Sequence, residues 1–170
     1  MQYIFDAIKK TVYNGADVEL DKNLINWSNQ GVLLLNSAFT CQIGKPGTHY
    51  EIWKEFMAFA IDMMSYGLEK TVWVFMGKKS QELSELVDED KHIIINTSHP
   101  ASAVYTGKKE WDCNDVFNKV NEALLEKNGF LRKDAKTLDV TAENSFNTET
   151  YLNSPSSDAS RNVHFAPFKS

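Results

Sequence analysis

A chain of 170 residues with 42% hydrophobic and 12% aromatic content is long enough to bury one core, so a single domain plus a tail is expected. The formal net charge of -5 argues against a generic polyanion binder, because sequence-independent affinity for nucleic acid comes from Lys and Arg neutralising phosphates. Any contact with DNA must therefore be local. Cys41 and Cys113 lie far apart and form no CxxC pair, so they read as reduced structural thiols; no disulfide framework, metal site or cofactor is signalled. Met1 opens no charged-then-apolar leader, and no apolar run approaches the ~18 residues of a membrane span, which points to a cytoplasmic or nuclear setting with no membrane contact.

In chain order, residues 2–13 place Ile4, Phe5, Ile8 and Val12 at helical spacing, and Asn14 and Gly15 end the segment. Asn23 is suited to cap a brief helical turn through Trp27. Gly31 then releases the chain into VLLLN, an unbroken apolar run that reads as a buried parallel strand whose carboxyl end emerges at Asn36. CQIGKPGTHY at 41–50 reads as a loop. The helix that follows, EIWKEFMAFAIDMMSYG, is expected to turn Trp53, Phe56, Met57, Ala60, Ile61 and Met64 inward. TVWVFMG is a second strand, SQELSELVDED a short surface helix, and HIIINTSHP a third strand running into a polar turn. A last helix, NDVFNKVNEALLEKNG, presents Val116, Phe117, Val120, Ala123 and Leu124 on one face and stops at Gly129.

Strand and helix thus alternate, which predicts a parallel sheet flanked by helices, with ligands bound outside the carboxyl ends of the strands, where Asn36 and His99 fall. From Asp134 the apolar periodicity fades, so residues 1–133 read as the domain and 134–170 as a Ser- and Asn-rich tail, flexible or docked in extended form. Its last stretch, VHFAPFKS, interleaves aromatics with a proline, as a short peptide ligand does, or as an incidental hydrophobic terminus.

GVLLLNSAFT at 31–40, VWVFMGKKSQEL at 72–83, NTSHPASAV at 96–104 and the following WDCNDVFNKVNEALLEKNG resemble, in order and spacing, the family 1 uracil-DNA glycosylases. Thr40, Gly44, His49, Trp53, Gly77, Gln81, Pro100 and Cys113 extend the match over roughly residues 2–130. The resemblance implies a three-layer α/β/α fold with a short parallel sheet. It implies that Asn36 reads the Watson–Crick edge of a flipped uracil, its amide offering a donor and an acceptor side by side. It also implies that His99 donates to the uracil O2 as negative charge develops on the leaving base. The turn holding Pro100, Ala101, Ser102, Ala103, Val104 and Tyr105, with Lys108 and Lys109 as a local basic spot, is then the DNA-contacting segment.

The departures from the family concern the other half of the pocket. The family places a central strand and a GQDPYP-type loop before the LLLN strand, and the Asp of that loop orients water and stabilises the sugar cation. No DPY occurs here, and the aromatic that stacks on the flipped base is missing too; Asp6, Asp17 and Asp21 fall in segments that match positions after the lost motif. Ala103 stands where the family has the Leu that fills the vacated base stack, with Val104 or Tyr105 as substitute wedges. Ala101 and Val104 replace serines that hold phosphate. A sheet without its central strand has open edges that invite pairing, so a second polypeptide, a second copy or the tail is expected to supply the strand. Three readings follow: part of a glycosylase completed by a partner chain and acting on uracil-containing DNA; a pseudo-glycosylase that serves replication, processivity or defence interference, as a viral or phage protein does; or a truncated gene product.

Overall fold

The computed structural model describes residues 1–20 and 22–124. The expected domain end at residue 133 and the tail at 134–170 lie outside them. The elements are α1 (Gln2–Thr11), α2 (Ile25–Asn29), α3 (Tyr50–Gly67), β1 (Val72–Met76), α4 (Lys78–Gln81), a 3-10 turn (Ser84–Leu86), β2 (Ile93–Thr97), α5 (Ser102–Tyr105) and α6 (Val116–Leu124).

β1 and β2 pair in parallel, Val72 opposite Ile93 and Met76 opposite Thr97. The side chains of both strands alternate between two covered faces. Val74, Met76 and Ile95 pack with Ala7, Ala103, Trp111, Cys113 and Val116 on the side of α1, α5 and α6. Trp73, Phe75 and Ile94 pack with Ile61, Met64, Leu83 and Val87 on the side of α3 and the 3-10 turn. The described residues therefore form a three-layer α/β/α structure around a two-stranded parallel sheet. A third cluster, Phe5, Ile8, Leu20 and Trp27, fastens α2 to α1.

His92 joins three of these elements from a buried position. Its Nδ1 accepts from the backbone N–H of Thr71 at 3.1 Å, and its Nε2 lies 2.8 Å from the carbonyl of Ser65 in the last turn of α3. Lys91 donates to the next carbonyl, that of Tyr66, at 2.8 Å. Together they satisfy carbonyls that a helix end leaves without an internal partner.

Four sequence expectations need correction. Residues 32–36 are not a strand: they pair with no described residue, and Leu33, Leu34 and Leu35 are 59%, 51% and 41% exposed. A strand exists only through its neighbour's hydrogen bonds, and among the described residues no neighbour lies there. Phe56 points outward instead of inward, while Met57 and Ile61 are buried as expected. The surface helix expected over SQELSELVDED is a single α-turn ending at Gln81 followed by the 3-10 turn. Leu24, in a left-handed conformation at φ 59, occupies the cap position of α2 that Asn23 was expected to hold.

The open edge of β1 can be read from its hydrogen bonds. Ile93 N–H donates to the Thr71 carbonyl at 3.0 Å and Gly77 N–H to the Thr97 carbonyl at 2.8 Å, so residues 71, 73, 75 and 77 turn their backbone groups to β2. Those of Val72, Val74 and Met76 turn the other way, to an edge on which no strand lies among the described residues.

Candidate functional site

His99 sits two residues beyond β2, in a turn that hydrogen bonds hold from several sides. Thr97, the last residue of β2, donates its hydroxyl to the Cys113 carbonyl at 2.8 Å, and its own carbonyl accepts from Gly77 N–H and from the Gln81 side chain at 2.7 Å. Ser98 donates to the Asp112 carbonyl at 2.8 Å and accepts from the indole N–H of Trp111 at 2.8 Å. Ser102 N–H closes the turn on the His99 carbonyl at 2.8 Å. The ring lies against Gly77: a Cβ there would come within 2.8 Å of the His99 Cβ, and Gly77 holds φ +93, a conformation that side chains other than hydrogen rarely adopt.

The backbone N–H of Ala101 donates to His99 Nδ1 at 3.1 Å. An imidazole whose Nδ1 accepts must, when neutral, carry its proton on Nε2. Nε2 has no partner among the described residues, and His99 is exposed. The turn therefore holds out an Nε2–H donor, the tautomer that a backbone bond selects for the neutral ring, at the carboxyl end of a parallel strand.

Asn36 is exposed and its amide makes no hydrogen bond among the described residues. The chain beyond it is anchored to α3: Trp53 donates its indole N–H to the Thr40 hydroxyl at 2.8 Å, Thr40 and His49 share a hydrogen bond at 2.9 Å, and Phe39 meets Trp53 edge-to-face with centroids 4.8 Å apart. These bonds fix residues 39–53 as a unit, while 32–36 itself is held only at its start, where Val32 N–H donates to the Trp27 carbonyl at 3.0 Å. His99 and Asn36 are thus placed by different means, and no hydrogen bond joins them.

Of the other DNA-contacting candidates, Pro100, Ala101 and Ser102 are half-buried. Ala103 is 2% exposed and packed against the α1–α6 layer, which leaves Val104 and Tyr105 as the outward side chains of α5. Lys108 and Lys109 are exposed beside Lys10, which pairs with Glu110. The Lys10 hydrogen bond holds the Glu110 carboxyl below its ordinary range, and Glu110 raises Lys10 in return. A depression of roughly 520 Å³ lies here, lined among others by Lys10, Lys109, Trp111 and Asp115; neither Asn36 nor His99 borders it. Among the described residues no group of three or more His, Cys, Asp or Glu could hold a metal, and no helix is long and apolar enough to cross a membrane.

Thr97, Ser98 and Trp111 were not singled out from sequence, although they hold the turn in place. The signal available was polar residues closing a buried strand, whose hydroxyls need acceptors.

The fold and this turn define a class: an α/β/α protein that presents a fixed histidine donor at a strand's carboxyl end. No family model matches the chain. It is 32% identical over 126 residues to the uracil-DNA glycosylase of Phocaeicola vulgatus, covering 73% of this chain and 55% of that protein. It is likewise 32% identical over 113 residues to the uracil-DNA glycosylase of Acinetobacter baumannii (strain SDF), covering 66% and 47%. Among solved structures it superimposes on mimivirus uracil-DNA glycosylase with a TM-score of 0.56 at 26% identity, covering 72% of this chain and 50% of that one. Mimivirus UNG Y322F in complex with UGI gives 0.62 at 24% identity, covering 81% and 54%, a likeness of fold alone. The chain belongs to the uracil-DNA glycosylase superfamily and spans about half the length of the curated relatives it matches.

Proposed function

We propose that this chain carries the base-reading and leaving-group half of a uracil-DNA glycosylase site, completed by a strand and carboxylate from a partner chain. The unpaired segment 32–36, with three exposed leucines leading to Asn36, carries this reading. An extended apolar segment ending in a base-reading amide, together with the open edge of β1, fits an inserted strand that pairs on both sides. Once that strand is seated, Asn36 is fixed at a strand end as His99 already is, and its amide reads the O4 and N3–H of uracil. His99 Nε2–H donates to the uracil O2, where charge grows as the glycosidic bond breaks. A neutral donor aimed at charge that appears only in the transition state acts on rate more than on binding. The partner's carboxylate orients the attacking water. Val104 or Tyr105 fills the vacated stack, and Lys108 and Lys109 meet phosphate.

The test is uracil release from a uracil-containing single-stranded oligonucleotide by the full chain, alone and with the product of a neighbouring reading frame. The expected result is release only in the mixture, falling about 10²-fold or more with Asn36→Ala or His99→Ala. Release by neither preparation, or release that both variants leave unchanged, overturns the reading.

A second reading is favoured by one observation, the burial of Ala103. With no long side chain at that position to hold open a base stack, the chain serves as an accessory protein that keeps the fold without excising a base. Protein binding in a pull-down together with absent excision in every mixture selects it.

A further inference from the structure

Helix α3 is apolar on two opposite faces: one is buried, and on the other Phe39 meets only Phe56 and the flanking Trp53. Met57, Ile61 and Ser65 are buried against the sheet layer. Ile52, Phe56, Phe59, Met63 and Tyr66, spaced four, three, four and three residues apart, form a straight stripe on the far side, each at least 51% exposed. At 1.5 Å per residue the stripe runs ~21 Å. Five large apolar side chains in one row are more than a solvated helix face carries by chance, and contiguous exposed apolar surface of this kind marks an interaction site. At roughly 100° per residue, Glu51, Glu55 and Asp62 all fall along one flank of the stripe, and Trp53 and Ala60 along the other. The face therefore suits an apolar segment that brings cations to one side.

We propose that the occupant is this chain's own segment Arg161–Lys169, RNVHFAPFK. It concentrates Val163, Phe165 and Phe168 between Arg161 and Lys169 and follows the last acidic residue, Asp158. Val163 to Phe168 spans at most ~17 Å in extended form, within the length of the stripe. The 36 residues between Leu124 and Arg161 reach up to ~120 Å, far more than the ~30–40 Å across a domain of this size. Tethering makes the contact intramolecular, which raises the effective concentration toward the millimolar range. A second copy fits less well. Antiparallel pairing of two stripes about a two-fold axis sets the acidic flank against itself, and parallel pairing sets it against uncharged Trp53 and Ala60. The proposal is independent of the uracil reading, since neither Asn36 nor His99 belongs to the stripe.

The experiment uses the full chain with Cys41→Ser and Ser170→Cys, a nitroxide on the new cysteine, and methyl NMR of Ile, Leu and Met. The expected result is at least a twofold loss of Ile52 and Met63 methyl intensity with little change at Ile93. Phe165→Asp with Phe168→Asp should restore the signals, and Arg161→Glu with Lys169→Glu should restore them in part. Unchanged Ile52 and Met63 signals overturn the proposal. So does broadening that appears only when spin-labelled and isotope-labelled molecules are mixed, which assigns the face to a second copy. Loss centred on leucine methyls of residues 33–35 also overturns it and places the segment beside the open sheet instead.

Discussion

The turn after β2 and the stretch ending at Asn36 are built from the same kind of sequence, branched apolar residues running into a polar one. They are held very differently. Around His99, Thr97, Ser98, Gln81, Trp111 and Gly77 converge, and each hydrogen bond leads to a main-chain group or to another member of the set. Around Asn36 the leucines face solvent and no ladder bond forms. The difference teaches that His99 is placed by contacts among the described residues, whereas no ladder or side-chain hydrogen bond among them fixes Asn36.

The change expected to break this contrast most completely is Gly77→Ala. The new Cβ would meet His99 at 2.8 Å in a backbone region that is strained for any side chain. Strain and overpacking together should cost about 2–5 kcal/mol in urea unfolding, or relocate His99 at lower cost. A loss under 1 kcal/mol with the His99 signals unmoved would show that Gly77 is not what holds the ring. Next comes His92→Ala, which removes a buried ring, leaves the Thr71 N–H without a partner and leaves the Ser65 carbonyl only the long bond from Lys91 Nζ at 3.4 Å. About 3 kcal/mol is expected from denaturant curves, with little effect on the His99 turn. Thr97→Val should cost about 1 kcal/mol, because the Cys113 carbonyl loses one of its two donors and keeps only the Val116 N–H at 3.2 Å. Hydrogen exchange at Ser102 should quicken in that variant while the amides of 32–36 stay as they were.

How much of this was legible in the sequence follows the same division. His99 in its polar turn, the helices α1 and α6, and both strands of the β1–β2 pair follow from short-range pattern: apolar runs, glycine stops and a proline. Residues 32–36 carry as strong a strand pattern as β2 does, but pairing is a property of two segments, and an apolar run does not announce whether a neighbour lies beside it. Phe56 was read as inward because α3 is apolar almost all round, so its periodicity could not say which face the sheet layer covers. The pairing of Lys10 with Glu110 joins residues a hundred positions apart, beyond any local signal.

Leu34→Gln sharpens the contrast from the other side. A side chain that is 51% exposed and belongs to none of the core clusters should contribute within about 0.5 kcal/mol to the stability of the chain alone. The same substitution should weaken any uracil release that depends on a partner strand seating beside residues 32–36. A loss above 1 kcal/mol in the isolated chain would mean that these leucines are covered after all.

The smallest effect belongs to the Lys10–Glu110 pair, which ties α1 to the segment that follows the His99 turn. Glu110 is held below its ordinary value, so its contribution is present above the range where a free carboxyl titrates and disappears as pH falls through the lowered folded value. Lys10 is raised, so its contribution is present below the ordinary lysine range and disappears as pH rises through the raised value. Between those limits Glu110→Gln should lower the melting temperature by an amount near the error of the measurement, because both side chains are exposed and water screens them. Below the carboxyl range the variant and the parent chain should melt together. Melting curves at neutral pH, at pH 3 and in high salt test this, since salt should shrink the neutral-pH difference as acid does. A large difference that survives salt would mean that the pair is shielded from solvent, and that the segment behind the His99 turn is held by electrostatics as well as by the Thr97 and Ser98 hydroxyls.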